Sequence, residues 1–517
     1  MRRRRPARFV LVACLAVVAA LAAFTPGATA GTTGSAKTYL VVYKSTTSPA
    51  DSVAKLTAAG GTVIANYRQI GVAVVSSSSS SFRTAVLKDT RVDGVSATSG
   101  FAVKLDDDDA SGPPPGDLPN SPATDSDSLS NRQWDMAQIH TPEAHAITGG
   151  SPSVLVGDID TGLDYTHPDL AANVDDAASA NCVSGVAVPG KVAANDDNGH
   201  GTHTAGTIAA ASNGIGIVGV APNVKIAGIK AGNAAGFFFP EAVICAFMWA
   251  GTHGIDVTNN SYFADPWLFN CKNDPVQRAI WKAEQRAINF AQQNGVTVIA
   301  SAGNQFEDIS HPSEDDTSPD DTTPIDGRRV TNACAVVPVE VPGVVGVSAT
   351  GSREQDGSAG QYADNLKSFY SSFGVGAVDV TAPGGDSLFP RAGLTSITGR
   401  VLSTWPASLL ATTCLPARQV VDASGATYCY QQGTSMAGPH AVGVAALILS
   451  RYGPLSRGQL VAMLEGSTDA QVCPSSLPAG YETLVGTDDE QVQTCQGGLH
   501  NSWYGSGQVD ALNAVTR

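Results

Sequence analysis

The sequence predicts an α/β protein with a large domain, whose mainly parallel sheet is flanked by helices, preceded by a small α+β domain. After Gln133, strand-like and helical patterns alternate, as in Val154 to Ile159, Val224 to Ile229, Gln277 to Gln293 and Val296 to Ala300. Such alternation is typical of a parallel sheet whose strands are joined by helices. Before it, the stretch from Thr38 to Ala97 changes its hydrophobic period several times, as a smaller mixed domain does.

Length and composition set the broad class of protein. The chain has 517 residues, 43% hydrophobic and 15% charged, which is enough apolar chain for two or three globular units and excludes a disordered protein. Asp and Glu number 47 against 31 Lys and Arg, a net charge of −16. A surface of that sign repels phosphate backbones, so we expect no nucleic-acid partner.

The first thirty residues have the pattern of a signal peptide. Arg2 to Arg5 precede the apolar stretch Phe9 to Phe24, and small residues at Ala28 to Ala30 form a cleavage site. A lipoprotein signal ending at Cys14 is disfavoured, because the apolar run continues past it. No later stretch reaches about 18 uncharged apolar residues. We therefore expect residues 1–30 to be removed and the protein to be secreted and extracellular, with no membrane attachment.

The number of cysteines agrees with export. Of nine cysteines, Cys14 lies in the signal peptide, and the other eight form an even set in an oxidising compartment. Sequence proximity favours only two pairs, Cys414 with Cys429 and Cys473 with Cys495, and a mixture of free and bonded thiols stays the alternative. A zinc site is disfavoured, because the chain has no CxxC pair.

Residues 36–100 have the element order of a small ferredoxin-like domain. The expected order is strand, helix, strand, strand, helix, strand, at Tyr39 to Tyr43, Pro49 to Ala59, Thr62 to Tyr67, Ile70 to Val75, Ser81 to Leu87 and Val92 to Ala97. Such an order builds a split βαβ domain on one sheet.

An acidic linker rich in Pro and Ser follows at residues 101–130, and the large domain occupies residues 131–517. Four consecutive aspartates, Asp106 to Asp109, precede a run of prolines at Pro113 to Pro115. We interpret the aspartates as a solvated spacer and not a metal site, because an unstructured run cannot hold converging ligands.

Three short motifs in the large domain carry chemistry. Asp160 ends a buried strand before Thr161-Gly162, at the carboxyl edge where α/β proteins collect their active sites. His200 opens a helix of small residues, and no acid lies between it and His203, unlike the metal-binding helix of a metalloprotease. Ser435, in Gly-Thr-Ser-Met-Ala, lies at the start of an apolar helix expected at Ala441 to Leu449.

Each residue alone has an ordinary structural alternative. A strand-end Asp is a common turn former, and a Ser at a helix start is a common cap. Together, Asp160, His200 and Ser435 supply an orienting carboxylate, a base and a nucleophile. Their chain order is the one that subtilisin uses, and it differs from that of chymotrypsin and of the α/β-hydrolases.

On these motifs the chain resembles the subtilisin-like serine proteases (subtilases, peptidase family S8) with an N-terminal inhibitor-like propeptide. The resemblance implies a subtilisin-like peptidase domain at 131–517 and a propeptide domain at 36–100. It implies that Asp160 orients His200, that His200 takes the proton of Ser435, and that Ser435 forms an acyl-enzyme. A fourth match, Ala-Ser-Ala-Gly-Asn at 300–304, implies that Asn304 donates to the oxyanion.

The resemblance also implies a structural calcium ion, with no cofactor required for catalysis. Two side chains match the family's N-terminal calcium site, Asp169 and Asn213, and the carbonyls of Ala211, Ile215 and Ile217 complete an oxygen cage. The alternative is a plain Gly-rich turn. One further side-chain ligand of the family cannot be assigned from the sequence.

Departures from the family pattern bear on substrate choice. The matching substrate-pocket residues are Ser261, Tyr262, Phe263, Ser301 and Gly303, and Phe263 replaces a usual glycine, which narrows or re-routes the pocket. A second aspartate, Asp158, shares a strand face with Asp160. An acidic insertion after Asn304 either selects basic substrate residues, holds a second calcium ion or is a solvated loop, and we favour the last.

The sequence thus predicts a secreted serine endopeptidase made as a self-processing zymogen. Its expected partners are protein or peptide substrates and its own propeptide, which acts as an intramolecular inhibitor and folding aid, and we expect a monomer. The alternative is a catalytically inactive pseudoprotease that binds peptides. An esterase-type hydrolase is disfavoured, because Ala437 replaces the second glycine of Gly-x-Ser-x-Gly and the residue order differs.

Overall fold

The computed structural model describes residues 35–98, 121–355, 365–481 and 493–516. The predicted signal peptide and most of the predicted linker lie outside the described residues. None of the helices in these ranges has the length and apolar character that crossing a membrane requires.

The small N-terminal unit has the predicted order of elements. Its elements are β1 (Lys37–Tyr43), α1 (Ser52–Ala58), β2 (Thr62–Tyr67), β3 (Val72–Ser77), α2 (Phe82–Val86) and β4 (Val92–Ala97). The strands form an antiparallel sheet in the order β2-β3-β1-β4. Alternate residues of β1 face opposite sides, so Tyr39, Val41 and Tyr43 pack with Leu56 and Phe82 under the two helices.

The large unit is built on many strands. These strands are β5 (Leu155–Asp160), β6 (Ala180–Asn181), β7 (Val188–Pro189), β8 (Lys225–Lys230), β9 (Val257–Asn260), β10 (Asn270–Cys271), β11 (Thr297–Ser301), β12 (Cys334–Ala335), β13 (Val345–Glu354), β14 (Asn365–Lys367), β15 (Val380–Pro383), β16 (Val401–Thr404), β17 (Gln419–Val421) and β18 (Thr427–Gln431). Of these, β5, β8 and β11 lie within about one residue of the three apolar runs that the sequence predicted.

Helices cover both faces of the main sheet. They are α3 (Trp134–Gln138), α4 (Thr141–His145), α5 (His200–Ala209), α6 (Pro240–Ala250), α7 (Pro275–Gln293), α8 (Leu410–Thr413), α9 (Thr434–Tyr452), α10 (Arg457–Gly466) and α11 (Ala511–Thr516). Helices α5 and α9 pack on one face and α6 and α7 on the other, each over its own apolar core. Helix α9 is buried on all sides along most of its length, which explains its nearly continuous apolar sequence.

Strand order brings several strand ends to one edge. In the described residues the main sheet runs β14-β13-β11-β9-β5-β8-β6-β7, with β15 added beside β13. The pairs that join β13, β11, β9, β5 and β8 are parallel, so these strands end on the same side. Asp160, Ser261 and Ser301 therefore meet at the carboxyl edge, where parallel sheets hold their ligands.

The small unit packs against α7 of the large unit. The Arg286 guanidinium donates to the carbonyls of Tyr43, at 2.9 Å, and Ile70, at 3.1 Å, while Lys282 Nζ contacts Asp93 Oδ2 at 2.5 Å. Gly94 lies so close to α7 that a Cβ there would come within 2.8 Å of the Ala279 methyl group. The contact combines fixed hydrogen bonds with close apolar packing.

The eight cysteines outside the predicted signal peptide form four disulfides. They join Cys182 with Cys245, Cys271 with Cys334, Cys414 with Cys429, and Cys473 with Cys495. Both locally favoured pairs are therefore present. The two longer pairs depend on the tertiary structure.

Two segments differ from the sequence-based expectation. The structure places residues 121–130, assigned to the linker by composition, on the large unit, where Ala123 N–H donates to the His145 carbonyl and Leu129 N–H to that of Gly216. Helix α9 begins at Thr434 and not at Ala441. Residues 434–440, before the expected start of the helix, are helical as well, and Gly438 and Pro439 are accommodated inside its first turns.

Candidate active site

Asp160 and His200 are in direct contact at the carboxyl edge of the sheet. The His200 Nδ1 atom lies 2.7 Å from Asp160 Oδ1, and the Asp160 side chain is fully buried. Helix α5 reaches this close because Gly201 has no side chain: a Cβ there would lie 2.1 Å from the Gly162 carbonyl oxygen. The glycine of the motif is thus required for packing, and the packing brings the imidazole to the carboxylate.

A further aspartate, Asp196, fastens the strand end to the helix start. Its carboxylate accepts from the Thr161 hydroxyl at 2.9 Å, from Gly199 N–H at 3.0 Å and from the Thr202 hydroxyl at 2.6 Å. Asp196 was not predicted from the sequence, because an aspartate shortly before Asn198-Gly199 is typical of an ordinary turn. It holds the elements that carry Asp160 and His200 in register.

The environment of His200 raises its pKa above the ordinary value of 6.5. Burial acts in the opposite direction, but the negative charge of Asp160 and the hydrogen bond to it outweigh burial. The same hydrogen bond fixes the tautomer with the proton on Nδ1, so Nε2 is free to accept a proton.

Ser435 is the second residue of α9, and the neighbouring strand end holds it. Its hydroxyl donates to the Ser261 carbonyl at 3.2 Å, while the Ser261 hydroxyl donates to the Ser435 carbonyl at 3.0 Å. In the described residues no hydrogen bond joins Ser435 Oγ to His200. The structure therefore brings Asp160 and His200 together and holds Ser435 against Ser261.

Two N–H donors converge on the space next to Gly433. Asn304 Oδ1 accepts from the Thr434 N–H at 2.8 Å and from the Thr434 hydroxyl at 2.9 Å, which fixes the orientation of the amide. A Cβ on Gly433 would lie 3.4 Å from Asn304 Nδ2 and 3.5 Å from Ser435 N. Because residue 433 is glycine, that space stays open to a ligand oxygen that could accept from both.

A cavity of about 210 Å³ opens beside Ser435 and Asn304. It is lined by all five residues that the resemblance assigns to the substrate pocket, namely Ser261, Tyr262, Phe263, Ser301 and Gly303. The Tyr262 ring stacks on that of Phe238 with 4.1 Å between centroids, which makes one wall rigid and apolar. Phe263 is also among the residues that line the cavity, which is open despite this bulky side chain.

The cavity also has an acidic part. Asp265 and Asp320 both line it, and their carboxyls hydrogen-bond to each other. Burial and the neighbouring carboxyl raise the pKa of Asp265 well above its usual range, and burial raises that of Asp320. The adjacent Asp321 is buried, neither of its oxygens has a hydrogen-bond partner among the described residues, and burial raises its pKa to about 7.

The insertion that carries Asp320 is not the solvated loop that we favoured from the sequence. Glu307 and Asp315 have no exposed surface. Arg328, the nearby cation, contacts Asp315 and stacks over the Trp267 ring at 4.6 Å. It therefore does not neutralise the acids in the cavity. The one sequence signal that Asp265 lines the cavity was its position two residues after Phe263, a predicted pocket residue.

The residues assigned to calcium form a compact site at the loop that follows the C-terminal end of α5. Asp169 is fully buried, and its carboxylate accepts from the Tyr428 hydroxyl at 2.8 Å and lies 3.4 Å from Asn213 Nδ2. The loop from Ala211 to Ile217 closes over it, with Ile217 N–H donating to Asp169 at 3.2 Å. Burial raises the pKa of Asp169 to about 8.

A second carboxyl at this site, Asp127, was not predicted. It accepts from Asn213 N–H at 2.8 Å, burial raises its pKa, and its charge raises that of Asp169. Composition had placed Asp127 in the linker. Two buried carboxyls with an amide and loop carbonyls are the oxygen donors that a hard divalent cation prefers, and such a cation would remove the repulsion between the acids, so these residues fit calcium.

Comparisons with known sequences give a consistent result. The sequence model of the Subtilase family matches residues 151–502. The chain is 31% identical over 330 residues to an alkaline protease of Alkalihalobacillus alcalophilus, covering 63% of this chain and 62% of that protein. The chain is also 31% identical over 330 residues to Subtilisin Savinase of Lederbergia lenta, covering 63% of this chain and 87% of that protein. The match thus spans less than two thirds of the alkaline protease.

Solved structures confirm the predicted fold class. The epidermin leader peptide processing serine protease of Staphylococcus aureus superposes with a TM-score of 0.64 at 21% identity, covering 93% of this chain and 98% of that one. Fervidolysin of Fervidobacterium pennivorans gives a TM-score of 0.63 at 22% identity, covering 95% and 62%. At these identities the likeness shows the fold, a mainly parallel sheet flanked by helices.

The contact with Asp160 makes a prediction about the titration of His200. In an NMR titration assigned with His200→Ala, we expect the His200 ring to titrate above its ordinary value of 6.5. Asp160→Asn is expected to lower this pKa by about one unit or more, because burial then acts without the opposing charge. Asp125→Asn, which removes a carboxylate bonded to His145, is the matched control. An unchanged His200 pKa in Asp160→Asn would contradict the assignment.

Proposed function

The chain belongs to the subtilase family, and from this premise we propose that it is a secreted serine endopeptidase made as a self-processing zymogen. The observation that carries the proposal is the 2.7 Å contact between Asp160 and His200 at the same sheet edge as Ser435. The signal-peptide pattern of residues 1–30 and the four disulfides support export.

The proposed reaction uses the groups at this edge in two steps. His200 Nε2 takes the Ser435 proton as the Ser435 oxygen attacks the scissile carbonyl, and the imidazolium then gives that proton to the leaving amine as the C–N bond breaks, which leaves the acyl-enzyme. In the second step His200 takes a proton from water as the water oxygen attacks the ester carbonyl, and the Ser435 oxygen leaves with that proton as the acid product is released. For the first step the Ser435 hydroxyl turns from the Ser261 carbonyl toward His200, a rotation about one side-chain bond. Asp160 holds the tautomer and stabilises the imidazolium, which explains why it must stay charged.

The oxyanion of the tetrahedral intermediate would bind beside Gly433. Asn304 Nδ2 and Ser435 N–H both border that space. The hydrogen bonds that Thr434 gives to Asn304 Oδ1 orient the amide before substrate arrives. Donors that are already in place cost no reorganisation in the transition state, and removing one such donor in subtilisin costs on the order of 10² to 10³ in turnover.

The N-terminal unit, residues 36–100, is proposed to be the propeptide, acting as folding aid and intramolecular inhibitor. Its packing on α7, with Arg286 bound to two of its carbonyls, supports a role in forming the large unit. The proposed cleavage falls between this unit and residue 121, in the acidic stretch of low apolar content, so that Asp127 stays with the enzyme. A folded unit joined to the enzyme by such a stretch remains bound after cleavage until it dissociates or is digested.

The acidic part of the cavity supports a substrate class within this function. Asp265 and Asp320 line the cavity beside the nucleophile with no basic residue among its lining groups, and Asp321 adds a further carboxyl nearby. A Lys or Arg side chain of the substrate would ionise these acids and pair with them. The proposed preference is for cleavage next to a basic residue.

Calcium binding is proposed at the site of Asp127 and Asp169. Asn213 and the carbonyls of Ala211, Ile215 and Ile217 would complete the oxygen shell. The ion would supply positive charge between two buried carboxyls and tie residues 121–130 to the body of the enzyme. Its role would be structural, because Asp127, Asp169 and Asn213 are not among the residues that line the cavity beside Ser435.

The first prediction tests the nucleophile. Digestion of an unstructured protein should be lost in Ser435→Ala, by the order of 10⁶ known for subtilisin itself, and the variant should keep its unprocessed N-terminus. Mass spectrometry of the fragments and of the enzyme measures both. Ser396→Ala, an exposed serine, is the control. A mature, folded wild type that cuts nothing would instead support the peptide-binding pseudoprotease.

The second prediction concerns substrate choice. Peptides that differ only before the scissile bond, with Arg, Lys, Leu or Phe, should be cut fastest at Arg or Lys. In Asp265→Asn and in Asp320→Asn, the ratio of kcat/KM for Arg over Phe should fall by about 30-fold or more, because a buried charge pair is lost. Asp326→Asn, an exposed acid of the same insertion, should leave the ratio unchanged. Preference for apolar residues in the wild type would contradict the proposal.

The third prediction concerns calcium. In Ser435→Ala protein, which does not digest itself, calcium at about 100 times its dissociation constant should stabilise the fold by about 2.7 kcal/mol over chelator, raising Tm. Asp127→Asn and Asp169→Asn should each remove most of this rise, whereas Asp176→Asn, which alters an acid outside the site, should retain it. If Asp127→Asn and Asp169→Asn keep the full rise, calcium binds elsewhere.

A further inference from the structure

Asp158 is a second buried carboxyl beneath the candidate triad, and neither the proposed mechanism nor the family comparison gives it a role. It lies two residues before Asp160 on β5, so both side chains project from the same face of the strand. The side chain of Asp158 has no exposed surface. No ion pair involves Asp158 in the described part of the chain.

The hydrogen-bond partners of Asp158 indicate whether its carboxyl is protonated or ionised. Asp158 Oδ2 lies 2.9 Å from the Thr204 hydroxyl oxygen, and that hydroxyl also lies 3.0 Å from the Gly201 carbonyl. A hydroxyl has one proton, which can be given to only one of these oxygens. Both contacts become hydrogen bonds when Asp158 carries a proton on Oδ2 and donates it to Thr204, while Thr204 donates to Gly201.

The other oxygen of Asp158 leads toward the nucleophile. Asn259 Nδ2 donates one proton to Asp158 Oδ1 at 2.9 Å and the other to the Ser261 hydroxyl at 3.1 Å. The Ser261 hydroxyl in turn donates to the Ser435 carbonyl at 3.0 Å. Asp158 therefore connects β5, which carries Asp160, with the strand end that holds Ser435, and through Thr204 it also contacts the helix of His200.

Burial and the charge of Asp160 disfavour a second negative charge at Asp158, and the charge of His200 acts in the opposite direction. The charged groups on the elements packed against Asp158 are Asp160 on β5, His200 and His203 on α5, Asp196 before α5, and Lys230 on β8, which is paired with Asp197. Burial and the charge of Asp160 raise the pKa of Asp158 well above its usual range. An ionised Asp158 would be a buried carboxylate with two hydrogen bonds and a like charge beside it, which is costly.

We propose that Asp158 is a positioning residue that works as a neutral carboxylic acid, donating to Thr204 and accepting from Asn259, so that Asp160 is the only carboxylate of β5 that acts on His200. The kinetic consequence rests on the proposed function. The protonation state does not, because it is a property of the folded chain.

The pH profile distinguishes a neutral Asp158 from a charged one. Asp158→Asn keeps both hydrogen bonds, since its amide can donate to Thr204 and its oxygen can accept from Asn259. If Asp158 is neutral, the acid limb of kcat/KM, which reports His200, should stay within about 0.3 pH units of the wild type, and kcat within a few-fold. If it is charged, removing the charge should lower the limb by about one unit, which would overturn the proposal.

A second pair of variants tests positioning. Thr204→Val removes the hydroxyl that accepts from Asp158 and should lower kcat by about 10-fold or more with little change in KM, because a small misplacement of the triad is costly. Thr207→Val is the matched control, since it removes a buried hydroxyl of the same helix whose one hydrogen bond among the described residues is to the His203 carbonyl. Equal effects of the two variants would overturn the positioning role.

A spectroscopic test does not need activity. Infrared difference spectra of Ser435→Ala against Ser435→Ala with Asp158→Asn, at neutral pH, should contain the stretching band of a protonated carboxyl. Its absence would overturn the neutral form. If the wild type proves inactive, the proposed function fails, but this band still decides the state of Asp158.

Discussion

The arrangement of this edge depends on how closely the first turn of α5 approaches the chain that follows β5. The backbones of Gly201 and Gly162 are so close that the space between them cannot hold a methyl group. Any side chain at Gly201 would push the helix outward and separate His200 from Asp160, although neither functional group would have changed. The small residues of the two motifs are therefore a packing requirement, and the 2.7 Å contact is its result.

Several acidic side chains of this protein are buried, and the groups that surround them differ from one to the next. Asp160 is hydrogen-bonded to an imidazole, whereas Asp158, by the proposal above, keeps its proton and serves as a hydrogen-bond donor. Within the described ranges, no cationic side chain acts on Asp127 and Asp169 or on Asp265 and Asp320. Such pairs are stable only as acids with raised pKa or with a cation supplied from outside. In the proposals above, the same chemistry would serve orientation, ion binding and substrate choice, according to what lies beside each carboxyl.

The sequence was most informative where a pattern is local. Periodicity predicted several strands and helices, and the motifs around Asp160 and His200 predicted that these two side chains lie in contact. The partners of these groups were not predictable, because they are distant in sequence. Asp127 meets Asn213 only after a segment of linker-like composition folds onto the large unit. Asp320 reaches Asp265 through a long insertion whose acidity alone indicated solvent. The catalytic roles of Ser435 and Asn304 stay predictions.

The disulfide between Cys271 and Cys334 closes a covalent ring around much of the cleft. Asn304, Asp320 and strand β11 all lie within the enclosed segment. The exposed stretch at residues 322–327 lies in the same ring. A break in the chain there would leave two fragments still tied together, with Asn304 and Asp320 on the same piece. The cleft is thereby protected against nicking at its most accessible loop, and such damage becomes visible only after reduction.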